Sequence, residues 1–144
     1  MSKIYVIGIG PGAYDQMTGK AIRAMNESDA IIGYTVYVDL VKEYFPGKEF
    51  MTTPMKKEVD RCVLAFEEAK KGKTVSMICS GDAGVYGMAG LMYAVGVNYP
   101  ETELEIIPDL VELCLAACEG KLDEKTSEWD CLLYTSIDES ISDW

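Results

Sequence analysis

Five short apolar runs alternate with helix-patterned stretches along this chain, and that alternation limits its fold more than any other feature. "KIYVIGIG" (3–10), "AIIGY" (30–34), "EFMTTPM" (49–55), "TVSMIC" (74–79) and "LEIIP" (104–108) are too short for buried helices. Most are rich in β-branched residues, so each reads as a strand. "TGKAIRAMNESD" (18–29) places Ala21, Ile22, Ala24 and Met25 at helical spacing, with Thr18 as the N-cap. "YVDLVKEYF" (37–45) is amphipathic and stops at Pro46-Gly47. In "KEVDRCVLAFEEAKKG" (57–72), Val59, Cys62, Val63, Phe66 and Ala69 are expected on one buried face, with lysines in the last turn and Gly72 behind them. Residues 83–95 read as a glycine-rich helix. Repeated βα units with short connections predict an α/β fold, a mostly parallel five-stranded sheet flanked by helices. Ligands of such sheets sit beyond the C-terminal ends of the strands. The glycine-rich segments 8–12 and 81–90 both follow strands, so they belong on one rim.

At 144 residues and 49% apolar content, the chain suits one domain with a real core. No apolar run approaches the roughly 18–20 residues that span a bilayer, so no membrane partner is expected. "MSKIYVIGIGPG" enters a strand directly and lacks a small-residue cleavage site, so no leader is expected and a cytoplasmic location is. Five cysteines without paired spacing, two of them (Cys62 and Cys79) among apolar neighbours, read as core thiols of a reduced chain. Cys114 and Cys118 are four apart, but with no histidine in the chain no metal site is expected there. Charge is unevenly spread. Residues 1–100 carry 11 basic and 11 acidic side chains, whereas residues 101–144 carry 2 and 13, so the whole net charge of −11 lies in the last stretch. That acidity argues against a nucleic-acid partner.

Two glycine motifs carry the candidate chemistry. "GIGPG" (8–12) invites a dinucleotide-binding reading, but Pro11 breaks the G-x-G-x-x-G spacing and the second strand ends in Gly33-Tyr34 instead of an acid. Tight-loop geometry alone also accounts for Gly8, Gly10 and Gly12. In "SGDAGVYGMAG" (80–90), Asp82 suits a helix N-cap, and Gly84, Gly87 and Gly90 suit close helix packing. Neither role explains Gly81, which lets a ligand approach bare backbone, with Asp82 available to a sugar hydroxyl.

"YVIGIGPG", "GYTVYVDLV", "CSGDAGVYGMAG" and "EIIP", in that order and at these spacings, resemble the tetrapyrrole methyltransferases over residues 1–108. "GYTVYVDLV" with "SGDAGVYGMAG" resembles the branch that methylates carbon 17 of a corrin precursor, precorrin-3B, with ring contraction in cobalamin biosynthesis. The resemblance implies an N-terminal α/β domain that faces a second domain across a cleft holding S-adenosylmethionine. Carried over by motif, Pro11, Ser80, Gly81, Asp82 and Val85 are the expected cofactor contacts. Gly10, Tyr34 and Tyr86 are weaker candidates for the substrate cleft, and no catalytic residue is assigned. The expected partner is a small tetrapyrrole, and the resemblance leaves a homodimer open. Two other readings stay open: a non-catalytic binding domain that keeps the fold, and a different tetrapyrrole methyltransferase.

After "EIIP" the family pattern continues with a Gly-Val-Thr-Ala-like turn and a second domain, whereas this chain reads "DLVELCLAACEG". Asp109 stands in place of the glycine, and Val111 and Glu112 in place of small polar residues. Residues 109–144 are therefore expected to form a divergent acidic tail, with one helix over 110–118, and the family's second domain is expected to be absent.

Overall fold

The computed structural model describes residues 2–79, 84–110 and 114. Five strands, β1 (Ser2–Gly8), β2 (Ala30–Tyr34), β3 (Glu49–Thr53), β4 (Thr74–Cys79) and β5 (Thr102–Ile107), form one sheet in the order β3-β2-β4-β1-β5. All four strand pairings are parallel. Four helices connect them: α1 (Gly19–Glu27), α2 (Thr35–Val41), α3 (Glu58–Lys70) and α4 (Gly84–Gly96).

Alternating strand residues point to opposite faces, and each face has its own core. Ile4, Val6, Ile32, Val75 and Met77 pack with Cys62, Ala65, Phe66 and Ala69 of α3 and Met88 and Met92 of α4. Tyr5, Ile7, Ile31 and Ile78 pack with Ala21, Ala24 and Met25 of α1 and Val38 and Val41 of α2. The chain runs from β1 through β2 to β3 with α1 and α2 over one face, then turns back through β4 to β5 with α3 and α4 over the other. Crossovers of constant right hand require this split when the direction of travel reverses.

Local signals explain most element ends. The Thr18 side chain accepts from the Ala21 amide at 3.1 Å, which caps α1 as expected. Gly72 closes α3 at φ +94°, with its amide donating to the Ala69 carbonyl. Several boundaries differ from the sequence reading, β3 among them, which ends at Thr53 instead of Met55. Helix α2 begins directly at Thr35 and relaxes into a 3-10 turn over Lys42–Tyr44, because its first turn packs against the end of β2 without a loop. β1 stops at Gly8, where the chain leaves the sheet, and β5 starts at Thr102, two residues early, because β1 offers partners from Ser2 onward.

The buried face of α3 is a correction. Val59 and Val63 are 54% and 37% exposed, whereas Arg61, Ala65 and Glu68 turn inward beside Cys62, Phe66 and Ala69. Of the two charged residues on the inward stripe, Glu68 has ion partners and Arg61 bonds the Thr53 hydroxyl. Glu68 meets Lys71 at 3.0 Å and Lys73 at 2.7 Å, and Lys73 also reaches Glu49 at 2.7 Å. This ion cluster fastens α3 to the starts of β3 and β4, at the N-terminal edge of the sheet. Of the helix expected over 110–118 only residues 110 and 114 are described, and the acidic tail beyond lies outside the described residues.

Candidate functional site

The C-terminal edge gathers the motifs singled out in the sequence. β1 and β4 are neighbours in register, with Gly8 beside Cys79, and the Ile9 amide donates to the Cys79 carbonyl at 3.0 Å. The loop 9–13 therefore leaves the sheet next to the point where β4 ends. Gly10 and Gly12 sit at φ +61° and +91°, and Pro11 is exposed between them. On the other side of β1, the chain emerging from β5 closes against the same loop base, with the Asp109 backbone directly over Gly8. Left-handed backbone thus accounts for Gly10 and Gly12, and the close approach of Asp109 for Gly8, whatever else the loop does.

Connections diverge between two adjacent strands. The chain leaves β2 toward β3 and leaves β4 toward β5, and a crevice opens beyond such a point of divergence in open α/β sheets. A cavity of about 130 Å³ occupies that place, lined by Tyr34 at the end of β2, Cys79 at the end of β4, Arg61, Met88 and the turn Met55–Lys56. Tyr34 and Tyr37 meet edge to face at 5.3 Å. Lys56 holds φ +67°, a left-handed conformation that costs an L side chain on the order of 1 kcal/mol.

Arg61 is the most heavily buried cation of the described residues, 4% exposed. Its Nε donates to Thr53 Oγ1 at 2.7 Å, and its guanidinium carbon lies 6.0 Å from the centre of the Tyr34 ring. The hydrogen bond ties α3 to the last residue of β3 and holds the guanidinium at the cavity wall. Cys62, next along the helix, is pushed up to about 11 by burial, so its thiol stays protonated at neutral pH. It packs 3.9 Å from the Met88 sulfur as an inert core group, as expected of it, and the Cys79 thiol donates to the Ile7 carbonyl at 3.3 Å. Binding and orientation are what this arrangement offers.

Of the residues expected in a site, the structure places Gly10 and Pro11 on the β1 loop and Tyr34 on the cavity wall. Val85 and Tyr86 fall in the first turn of α4, directly after β4. Ser80, Gly81 and Asp82 lie outside the described residues, between the end of β4 and the start of α4. β4 lies between β1 and β2, so the described segments carrying Gly10, Pro11 and Tyr34 leave the sheet on the same rim as the end of β4. Sequence reasoning missed Arg61. Its signal was present, since Arg61, Ala65 and Ala69 continue one stripe at intervals of four, but two valines drew the buried face toward themselves.

Residues 3–129 match the family model of tetrapyrrole (corrin/porphyrin) methylases. The chain is 40% identical over 146 aligned positions to a cobalt-factor III methyltransferase of Priestia megaterium, covering 90% of this chain and 27% of that protein. It is 42% identical over 113 positions to a probable cobalt-factor III C(17)-methyltransferase of Salmonella typhimurium, covering 78% of this chain and 47% of that one. Among solved structures, the methyltransferase CobJ superposes with a TM-score of 0.67 at 33% identity, over 83% of this chain and 52% of CobJ. The chain therefore spans about half or less of the proteins it resembles. The sheet, its rim and these matches agree: the chain belongs to the tetrapyrrole (corrin/porphyrin) methylases.

Proposed function

We propose that this chain supplies the N-terminal wall, over residues 1–108, of a cleft in which S-adenosylmethionine methylates carbon 17 of a corrin precursor during cobalamin biosynthesis. The observation that carries the reading is the convergence of the β1 loop, the end of β4 and the crevice beside β2 on one rim, in a chain of this family. The names of the relatives point to cobalt-factor III as the substrate class and to carbon 17 as the acceptor. Pro11, Ser80, Gly81, Asp82 and Val85 are assigned to the cofactor, and Gly10, Tyr34 and Tyr86 to the substrate side.

The chemistry asks little of the protein beyond placement. A sulfonium methyl is already an electrophile, so the work is in-line orientation and exclusion of water, which together supply about 7–11 kcal/mol when both reactants are held in one geometry. Backbone exposed at glycine can face the cationic sulfur without steric obstruction. A chain with no histidine has few acid–base options near pH 7, and the transfer step needs little of that chemistry.

The test is transfer of labelled methyl from S-adenosylmethionine to cobalt-factor III by the 144-residue chain and, in parallel, by the Salmonella relative. One wall orients neither reactant fully, so the chain alone is expected to form no product while the relative turns over. Turnover at a comparable rate overturns the one-wall reading and places a complete site within these 144 residues or a pair of them.

A further inference from the structure

We propose that Arg61 is a carboxylate anchor for the tetrapyrrole, holding one acidic side arm of the macrocycle in the crevice between β2 and β4; the inference rests on the function proposed above. A guanidinium buried to 4% exposure ordinarily has an acidic partner, because removing an unpaired charge from water is costly. Among the described residues, no carboxylate lies within ion-pairing distance of Arg61. Its one side-chain hydrogen bond among these residues, from Nε to Thr53 Oγ1, uses the side of the guanidinium that faces β3. The Tyr34 ring lies alongside, so the planar fork is braced by a hydrogen bond and by an aromatic neighbour at once. Among the described residues no hydrogen bond occupies its terminal nitrogens, and Arg61 lines the cavity. An arginine fixed in this way matches the two oxygens of a carboxylate better than any other side chain does.

The rest of the wall fits the same ligand. Lys56 adds a second cation, and Tyr34, Tyr37, Met55 and Met88 supply flat or adaptable apolar surface. Glu58 also lines the cavity and bounds the space that an anion can occupy. A cavity of about 130 Å³ has no room for a macrocycle but accepts one of its carboxylate arms, leaving the ring above the rim where the glycine loops end. The carboxylate of the cofactor is the other source of the same chemistry, and the apolar, tyrosine-faced wall favours the arm of the tetrapyrrole.

Equilibrium dialysis of the full chain against three probes tests the assignment: cobyrinic acid, a corrin with free carboxylate arms; cobinamide, in which arms are amidated; and S-adenosylhomocysteine. The wild type is expected to prefer cobyrinic acid to cobinamide by at least tenfold. Arg61→Met is expected to erase that preference, Arg61→Lys to restore part of it, and both to leave the affinity for S-adenosylhomocysteine unchanged. The wild-type comparison stands even where a variant folds poorly, since equal affinity for the two corrins contradicts a carboxylate anchor by itself. Wild type that binds neither corrin overturns the tetrapyrrole reading and the anchor with it. Preference intact in Arg61→Met overturns the anchor alone, as does loss of S-adenosylhomocysteine binding with corrin binding intact, which assigns Arg61 to the cofactor.

Discussion

Asp109 presses its backbone against Gly8. Its amide nitrogen lies 2.9 Å from the position a Cβ on residue 8 would occupy, and its own Cβ lies 3.4 Å away. This contact seats the chain leaving β5 on the base of the β1 loop, and the obstructing atom is backbone that has little freedom to move. Gly8→Ala is therefore expected to cost about 1–3 kcal/mol through overcrowding. A urea denaturation midpoint equal to that of wild type contradicts the contact.

Ser28 and Ser76 form a buried hydroxyl pair at 2.5 Å, and Ser28 Oγ also donates to the Ala24 carbonyl at 2.8 Å. Ser28 has a single proton, so Ser76 is the donor of the pair. Ser28→Ala then strands the Ser76 hydroxyl, which is fully buried, and is expected to cost about 1–3 kcal/mol. Ser76→Ala leaves the Ser28 proton satisfied and is expected to cost less. The double variant should fall short of the sum. Equal costs that add would place the proton elsewhere.

Phe66 is fully buried and stacks on Tyr99 with ring centres 4.8 Å apart, nearly parallel. It joins α3 to the turn before β5 and is a principal filler of that face of the core. Phe66→Ala is expected to cost about 3–5 kcal/mol, read from equilibrium unfolding. A loss below about 1 kcal/mol would mean that this face of the core is looser than its burial indicates.

Glu68 is held below its ordinary value of 4.5 by hydrogen bonds from Lys73 first and Lys71 second. A carboxyl lowered by folding contributes stability that is complete above its ordinary value and lost as pH falls through the depressed one. Glu68→Gln is thus expected to lower the melting temperature at pH 7, and the gap to wild type to close below pH 4. A gap that stays constant from pH 7 to pH 3 contradicts the ion cluster at the N-terminal edge.

Much of the fold was legible because local signals and tertiary packing agree in it. Thr18 and Gly72 bound their helices where backbone chemistry requires, Pro46-Gly47 follows the 3-10 turn after α2, and β2 and β4 keep the bounds their apolar runs suggest. Strand order is another matter. Insertion of β4 between β2 and β1 depends on which faces the helices must cover, and that is a property of the whole sheet. The turns at Gly10 and Gly12 on the rim were legible, since backbone freedom after a strand is a local signal. The site was not legible at Arg61, whose meaning comes from Thr53 eight residues earlier and Tyr34 on another strand. A charge on an inward stripe is recognisable only once its partners are known.

The most direct measurement is calorimetric titration of S-adenosylhomocysteine into the wild-type chain and into Gly81→Val, with melting temperatures taken on both. The expected result is saturable but weak binding by wild type, since one wall offers few contacts to offset the ordering of a flexible ligand. Gly81→Val should lose that binding while its melting temperature stays close to wild type. No binding by wild type, or equal binding by Gly81→Val, contradicts a cofactor held against the glycine rim.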